Sequence, residues 1–298
     1  MKNVLFLIFL LLPLFAISQD LTETSTINIT KTWSQEPNGY NYPMSIHVPS
    51  GSVPQNGFPV CVLLHGNQGN GSGILSQFEG ILDGHVLIAP TGYQKSWNLC
   101  AEKSDAPDIE MVNELVTILQ NFSNINPNQI RILGYSNGAG LANRVFAENT
   151  NTGIDIVCAI VSQLNEPQYH LGNFYKPSAQ TIPSSEYCGY DLLANPLDSR
   201  KYLSICNEND PIIPYKGGKS FVGVSFLSAE SAAYQIAKIQ GYTGSQLETG
   251  TSIGNPAVFE FSYLSGNVTH IKGNVGHEMN KTQTDYVKEF FSDCKISQ

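Results

Sequence analysis

A series of short, mostly apolar segments separated by amphipathic ones limits how this chain can fold more than any other feature. The most continuous of them is FPVCVLL at 58–64. The other segments of this character lie at 85–90, 129–135, 154–163, 201–206 and, as the expected last strand, 257–264. Short apolar runs of this kind are typical of strands that are buried on both faces, as in a parallel sheet covered by helices.

The segments between these strands have the periodicity of helices. In 105–122, one helical stripe carries the apolar residues Ile109, Val112, Leu115, Val116 and Leu119. Further helices are predicted at 137–149, 228–241 and 282–294. Because strands and helices alternate, we expect an α/β fold with right-handed crossovers, in which helices cover both faces of a mostly parallel central sheet.

Length and composition are consistent with one domain. Of the 298 residues, 41% are hydrophobic and 14% are charged, which is enough apolar material for a sizeable core. Two further strands, at 26–33 and 42–48, are predicted from alternation and β-branched content. The loop-rich segment 164–200 is expected to pass over one edge of the sheet. We found no repeat or low-complexity linker, so residues 19–298 are predicted to form a single domain.

The charge balance argues against two kinds of partner. The formal net charge is -9, and the lysines are scattered singly along the chain. Such a chain has no row of basic residues to neutralise phosphates, so we expect no nucleic-acid partner. It also lacks the polybasic patch that would bind it to a membrane surface.

The first residues resemble an export signal. Lys2 precedes the apolar run VLFLIFLLLPLFA, which ends at small residues, Ala16 and Ser18. This pattern predicts a signal peptide over 1–18, cut near Ser18 and Gln19, and hence a secreted protein, extracellular or periplasmic. The alternative is an uncleaved membrane anchor, although the run is short for a bilayer span.

Export permits disulfides, and the chain has six cysteines. Cys61, Cys158 and Cys206 lie in strand-like apolar runs and are predicted to be small core residues. Cys100 and Cys188 lie in loop-like segments and are candidates for a disulfide, and Cys294 is a third candidate for pairing. The connectivity does not follow from the sequence.

One serine lies where a strand gives way to a helix. In GYSNG (134–138), Ser136 follows the apolar strand IRILGY and precedes the predicted helix NGAGLANRVFAEN. Such a reversal needs a cramped backbone, and Gly134 and Gly138 remove side chains that would collide there. The helix N-terminus then directs its amides and positive dipole toward the serine. We interpret Ser136 as a nucleophile, the alternative being a glycine-rich loop without chemistry.

A serine nucleophile needs a base, and the base needs a group that orients it. In the chain order Ser, acid, His, the candidate bases are His277, in a loop before the last helix, and His270, in an extended stretch. His277 is favoured by its place after the final strand. The acid is expected after a strand, where Asp210 opens a turn before proline and Glu208 is its neighbouring rival.

The oxyanion that forms during attack needs two N–H donors. One is expected from Asn137, directly after the nucleophile, and the other from Asn67, in the loop LHGNQGNG after strand 58–64. His65 in that loop is interpreted as structural, holding the loop through its ring nitrogens. The same loop could be taken for a phosphate cradle, but it lacks the Lys-Ser/Thr and the glycine spacing of nucleotide-binding loops.

Taken together, the blocks LHGNQGNG, SWN, GYSNGAG, NENDPIIPYKGG and GH resemble secreted α/β-hydrolase esterases in residues and in order. The family includes polyhydroxybutyrate-depolymerase-like proteins and feruloyl and acetylxylan esterases, and the resemblance spans about residues 40–295. It implies a triad and an oxyanion hole made of the residues named above. It also implies that Trp97 and Asn98 of SWN lie beside the substrate.

The chain departs from that family at two places. CNEN stands where the family often has His-Gly-Thr, and Met279 stands where it often has an aromatic residue. Both places border the pocket, so the resemblance does not identify the ester.

These inferences predict a serine esterase that acts on a small-molecule or polymer-borne ester through an acyl-enzyme. No cofactor or metal is expected, because the cysteines lack zinc-type spacing and no HExxH motif is present. The alternatives are an acyltransferase, and a non-catalytic carbohydrate-binding or adhesion module on a hydrolase scaffold.

Overall fold

A nine-stranded sheet organises the chain in a computed structural model, which describes residues 19–178 and 187–292. The predicted signal peptide (1–18) and Cys294 lie outside the described residues. The strands are β1 (Thr30–Trp33), β2 (Glu36–Asn41), β3 (Met44–His47), β4 (Phe58–Leu64), β5 (Val86–Pro90), β6 (Ile125–Tyr135), β7 (Ile154–Ile160), β8 (Tyr169–His170), β9 (Asn173–Pro177), β10 (Tyr190–Leu193), β11 (Lys201–Asn207), β12 (Gly218–Lys219), β13 (Ser225–Phe226), β14 (Thr251–Ile253), β15 (Val258–Tyr263) and β16 (Val268–Gly273). The α-helices are α1 (Gly71–Phe78), α2 (Asp108–Leu119), α3 (Asn137–Glu148), α4 (Ala229–Ile239) and α5 (Lys281–Phe291).

The centre of the sheet is parallel and its margins are antiparallel. The strand order is β14-β15-β16-β11-β7-β6-β4-β5-β3. Every neighbouring pair from β16 to β5 is parallel, whereas β15 and β3 run antiparallel to their neighbours. The predicted α/β architecture with a mostly parallel sheet is therefore confirmed.

Strand β4 shows how the apolar runs build two cores. Val60, Val62 and Leu64 pack on one face of the sheet with α2, α3 and α4, and Cys61 and Leu63 pack on the other face with α1 and α5. Because successive side chains of a strand point to opposite faces, a strand covered on both sides must be apolar at every position. The continuous run FPVCVLL meets this requirement.

Three elements differ from the sequence prediction. The last strand is β16, not 257–264, and it pairs in parallel with β11, while 257–264 contributes the antiparallel β15. VTHIKG carries a histidine and a lysine, which conceal its burial in the sequence. Helix α1 forms within a glycine-rich segment because the Asn70 side chain caps it and Ile74 and Phe78 bury their side chains. Segment 164–200 contains a small sheet, β10-β9-β8.

The cysteines follow the sequence expectation where the structure describes them. Cys100 and Cys188 form a disulfide with their Cα atoms 5.3 Å apart. Cys61, Cys158 and Cys206 are free and buried. Within the described ranges, none of the helices combines the length and the apolar character needed to span a bilayer.

His270, the rival base, is a core residue of β16. Its ring is fully buried, with Nε2 2.9 Å from the Tyr215 hydroxyl and Nδ1 3.3 Å from Ser204 Oγ. Burial, reinforced by the charge of Lys272, lowers the pKa of His270 to about 3. The folded protein thus keeps His270 neutral at pH values where the unfolded chain protonates it.

This difference predicts a pH dependence of stability. The unfolded chain binds a proton at His270 below about pH 6.5, whereas the folded chain does so only near pH 3. Between these values the free energy of unfolding should fall by about 1.4 kcal/mol per pH unit as the pH drops, on account of this group. We expect His270→Gln to be less stable than the wild type at pH 7 and the difference to narrow toward pH 4. Urea unfolding at pH 4, 5, 6 and 7 measures it, and a constant difference would contradict the prediction.

Candidate active site

Ser136 occupies a strained position between β6 and α3. Its backbone has φ 54° and ψ -117°, a conformation that side-chain-bearing residues rarely adopt. A Cβ at Gly134 would lie 2.0 Å from the carbonyl oxygen of Gly138, and one at Gly138 would lie 2.0 Å from that of Leu64. Both glycines are required for the close approach of helix and strands, as the sequence predicted, and the serine is left at the carboxyl end of the sheet.

Three side chains from distant parts of the chain meet at this end. His277 Nε2 lies 2.7 Å from Ser136 Oγ, and His277 Nδ1 lies 2.7 Å from Asp210 Oδ2. The aspartate follows β11 and the histidine follows β16, so the carboxyl ends of three strands carry the three groups. The two ring nitrogens of His277 thus contact a carboxylate on one side and a hydroxyl on the other.

The Asp210 carboxylate is fixed in direction by its own turn. Its Oδ1 accepts the backbone N–H groups of Ile212 at 2.8 Å and Ile213 at 3.0 Å. Burial raises the pKa of Asp210, but the hydrogen bonds from His277 and from the two backbone N–H groups lower it by more. The pKa of Asp210 therefore lies below its ordinary value. The carboxylate is therefore ionised at neutral pH beside the imidazole.

The two rival residues lie elsewhere. The Glu208 side chain is 42% exposed, and its Oε1 lies 3.4 Å from Lys272 Nζ. His270 is occupied in the core by Tyr215 and Ser204. The structure thus brings Asp210 and His277 to Ser136 and leaves both alternatives in structural roles.

Two residues that the sequence reasoning missed support the His277 loop. The Asn207 side-chain Nδ2 donates to the carbonyl oxygens of Gly276, at 2.9 Å, and Glu278, at 2.7 Å. The Tyr135 hydroxyl donates to the carbonyl of His277 at 3.0 Å. Polar residues at the last positions of β11 and β6, directly before the acid turn and the nucleophile, were the sequence signal that pointed to them.

Asn137 begins α3, so its N–H is one of those that a helix leaves without an internal partner. Its side chain accepts the Trp97 N–H at 2.8 Å and donates to Glu102 Oε1 at 3.0 Å. Asn67 lies in the neighbouring loop after β4, where a Cβ on Gly66 would lie 3.4 Å from the Ser136 Cβ. Within the described ranges, neither Asn67 nor Asn137 donates its backbone N–H to another group.

His65 has the structural role that the sequence analysis gave it. The Gly92 N–H donates to Nε2 at 3.0 Å, so Nδ1 carries the ring proton and donates to the Gly66 carbonyl at 2.7 Å. Burial lowers the pKa of His65, and the hydrogen bond to Gly66 raises it by a smaller amount. The net lowering favours the neutral ring. The neutral ring locks the loop that carries Asn67.

Trp97 and Asn98 are not where the family resemblance placed them. Trp97 is fully buried, with its indole N–H donating to the His65 carbonyl at 2.7 Å. Asn98 is 4% exposed and its side chain donates to the Ala106 carbonyl at 3.2 Å. Neither side chain lines the cavity at Ser136. They support the site from behind, which corrects the expectation of substrate contact.

The backbone of this segment is held residue by residue. The Asn98 N–H donates to Asp108 Oδ2 at 2.7 Å, and its carbonyl accepts from Arg144 at 2.8 Å. Burial raises the pKa of Asp108 to about 7, opposed by the hydrogen bonds from Asn98 and Tyr42. The next residues are tied by Glu102 Oε2, which accepts two backbone N–H groups, and by the disulfide.

A cavity of about 400 Å³ opens beside Ser136. Its lining includes Asn67, Ser136 and Asn137, together with residues of the loop at 94–104 and of the β12–β13 hairpin. Among residues 19–178 and 187–292, no cluster of three His, Cys, Asp or Glu side chains is arranged to hold a metal ion. The groups gathered here can activate a hydroxyl, orient an imidazole and donate hydrogen bonds to a developing negative charge.

Comparison with solved structures shows an α/β-hydrolase fold. A carboxylesterase from Bacillus cereus matches with a TM-score of 0.52 and 17% identity, over 84% of this chain and 93% of that one. An acetyl xylan esterase from Aspergillus awamori matches with a TM-score of 0.54 and 13% identity, over 90% of this chain and 100% of that one. No protein-family model matches the sequence, and neither does any curated protein. At these identities the likeness shows the fold alone.

The corrected position of Trp97 gives a testable expectation. Trp97→Phe keeps an aromatic side chain but removes the indole N–H, so the buried His65 carbonyl loses its donor, which should lower the free energy of unfolding by about 1–3 kcal/mol. Trp33→Phe is the matched control, since the Trp33 indole donates only to the Gln35 side chain at 3.1 Å. Urea unfolding followed by circular dichroism compares the variants. Equal stability of Trp97→Phe and the wild type would contradict the role.

Proposed function

We propose that this protein is a serine carboxylic-ester hydrolase with Ser136, His277 and Asp210 as its catalytic triad. The observation that carries the proposal is the continuous hydrogen-bonded series from Asp210 through His277 to Ser136, at a serine held with positive φ. Acyl transfer to serine requires three groups in this spatial order: a buried, ionised carboxylate, an imidazole and a hydroxyl. The esterases that share the fold are consistent with this function but do not establish it.

The proposed reaction starts with proton transfer from Ser136 Oγ to His277 Nε2 as the oxygen attacks the ester carbonyl. Asp210, bonded to Nδ1, holds the ring in the required tautomer and stabilises the imidazolium. The N–H groups of Asn67 and Asn137 donate to the oxyanion of the tetrahedral intermediate. His277 then protonates the leaving alcohol, and water enters and cleaves the acyl-enzyme with the same groups.

Substitution of the nucleophile tests this function. Ser136→Ala should lower kcat/KM at least about 10³-fold, because the covalent route is lost while the oxyanion donors remain. The assay uses 4-nitrophenyl acetate and butanoate, methyl ferulate and a hydroxybutyrate oligomer. Ser52→Ala, an exposed serine far along the chain, is the control.

Each result of that assay decides between the alternatives. Equal turnover by Ser136→Ala and the wild type on every ester would exclude the serine mechanism. Turnover by neither protein would favour a binding or adhesion module. An acyl ester formed with added glycerol in preference to free acid would indicate an acyltransferase. The ranking of the four esters then places the enzyme among polyhydroxybutyrate-depolymerase-like, feruloyl and acetylxylan esterases.

We also propose that the protein works outside the cytoplasm. The sequence pattern of 1–18 predicts an export signal, and the Cys100–Cys188 disulfide supports an oxidising compartment. In this proposal the mature chain, from about Gln19, carries the activity.

Export has a direct test. The full chain, expressed in a bacterium with a secretion system, should be recovered from periplasm or medium with its N-terminus within a residue or two of Gln19. Mass spectrometry of the intact protein and of non-reduced peptides reads both the cleavage site and the Cys100–Cys188 link. Recovery from the membrane fraction with Met1 retained would show an anchor instead.

A further inference from the structure

The cavity beside Ser136 lies on the acid side of the proposed ester. This step rests on the proposed function, in which His277 protonates the leaving alcohol and so must contact it. The described lining of the cavity includes Ser136, Asn67 and Asn137 but neither His277 nor Asp210. The alcohol therefore leaves on the histidine side, and the cavity receives the acyl group.

The cavity is large for an acetyl group. Its volume of about 400 Å³ falls in the range of small-molecule pockets, roughly 300–1,000 Å³. A two-carbon acid would leave most of that space and its apolar wall without contacts. An acid of several carbons or one with a ring would fill it.

The apolar wall of the cavity comes mainly from the β12–β13 hairpin. Val224 and Phe226 of the hairpin pack with Ile213, which follows the Asp210 turn, and each is at most 7% exposed. The part of the lining that comes from the loops at 67–68 and 94–104 is mostly polar. An apolar acyl group therefore finds its contacts on the hairpin side.

At the tip of this hairpin, Phe221 lines the cavity while 91% exposed, and its neighbour Val222 is 46% exposed. An apolar ring left in water next to a binding cavity gains free energy when an apolar part of a ligand covers it. The base of the hairpin is fixed, because Ser225 accepts the Glu166 N–H at 2.9 Å and Phe226 bridges Asn165. The hairpin that carries the ring is thus tied at its base to the segment that follows β7.

We propose that Phe221, with Val222, is the outer wall of the acyl pocket and makes the enzyme select esters of acids with an apolar chain or ring longer than butanoate. Acetyl and butanoyl groups end inside the cavity and do not reach the tip. Longer apolar acids extend along Val224 and Phe226 and pack against the ring of Phe221. Phe221 is a specificity-determining residue and takes no part in proton transfer.

Chain-length profiles test this role. For Phe221→Ala, kcat/KM on 4-nitrophenyl octanoate should fall about tenfold, mainly through KM, with less than a twofold change on the acetate. Phe259→Ala is the matched control, since Phe259 is 41% exposed on β15 and does not line the cavity. Equal losses on acetate and octanoate, or no loss on octanoate, would overturn the proposal.

Binding of the acid product separates this inference from the proposed function. Calorimetry with Ser136→Ala should show tighter binding of octanoate than of acetate, and adding Phe221→Ala should weaken octanoate binding about fivefold or more. If the wild type cleaves no ester, the proposed function fails, and this titration still decides the hairpin's role. Octanoate affinity that is the same with and without Phe221 would overturn it.

Discussion

The site depends on the backbone conformation of Ser136. A serine at φ 54° between a buried strand and a buried helix is strained, and such a conformation persists only when its surroundings impose it. Here β6 and α3 are both fixed in the core, and the Ser136 N–H donates to the Ile160 carbonyl of β7 at 2.9 Å. The hydroxyl therefore lies at the carboxyl end of the sheet, where the loops after β11 and β16 place the carboxylate and the imidazole.

Around that turn, buried polar groups act as supports, not as reactants. Asn137 carries an N–H toward the cavity, while its side chain ties α3 to Trp97 and Glu102. Asp108 and Arg144 hold the same segment from the far side through Asn98. Leaving one of these buried polar groups without its hydrogen-bond partner would destabilise the folded protein by about 1–3 kcal/mol. The contacts therefore hold the segment around Trp97 and Asn98 in one position. In the proposed function, these contacts provide the preorganisation that oxyanion stabilisation needs.

The sequence predicted what depends on local pattern and chain order. Apolar runs gave the central strands, and the turn chemistry at Ser136 and Asp210 gave positions that the structure brings together with His277. Prediction from the sequence failed where packing between residues distant in the chain overrides local composition. The histidine of strand β16 is buried and hydrogen-bonded to Tyr215, which is 55 residues away in the sequence. Helix α1 forms in a glycine-rich segment because its apolar side chains are buried in the core. The expectation that Trp97 lies beside the substrate was wrong because a family motif indicates that a residue is near a site but not the direction of its side chain.

In the proposed function, the groups that perform the chemistry and the residue that selects the acid lie in different parts of the molecule. The groups at Ser136 belong to a network of buried strands, helix ends and hydrogen bonds, so a change there disturbs its neighbours. Phe221, by contrast, belongs to none of the buried clusters among the described residues and is exposed at a hairpin tip. Substitutions at such a position alter little of the folded state's packing. In this proposal, the preferred acid can therefore change by substitution at the hairpin tip while the geometry at Ser136 stays constant.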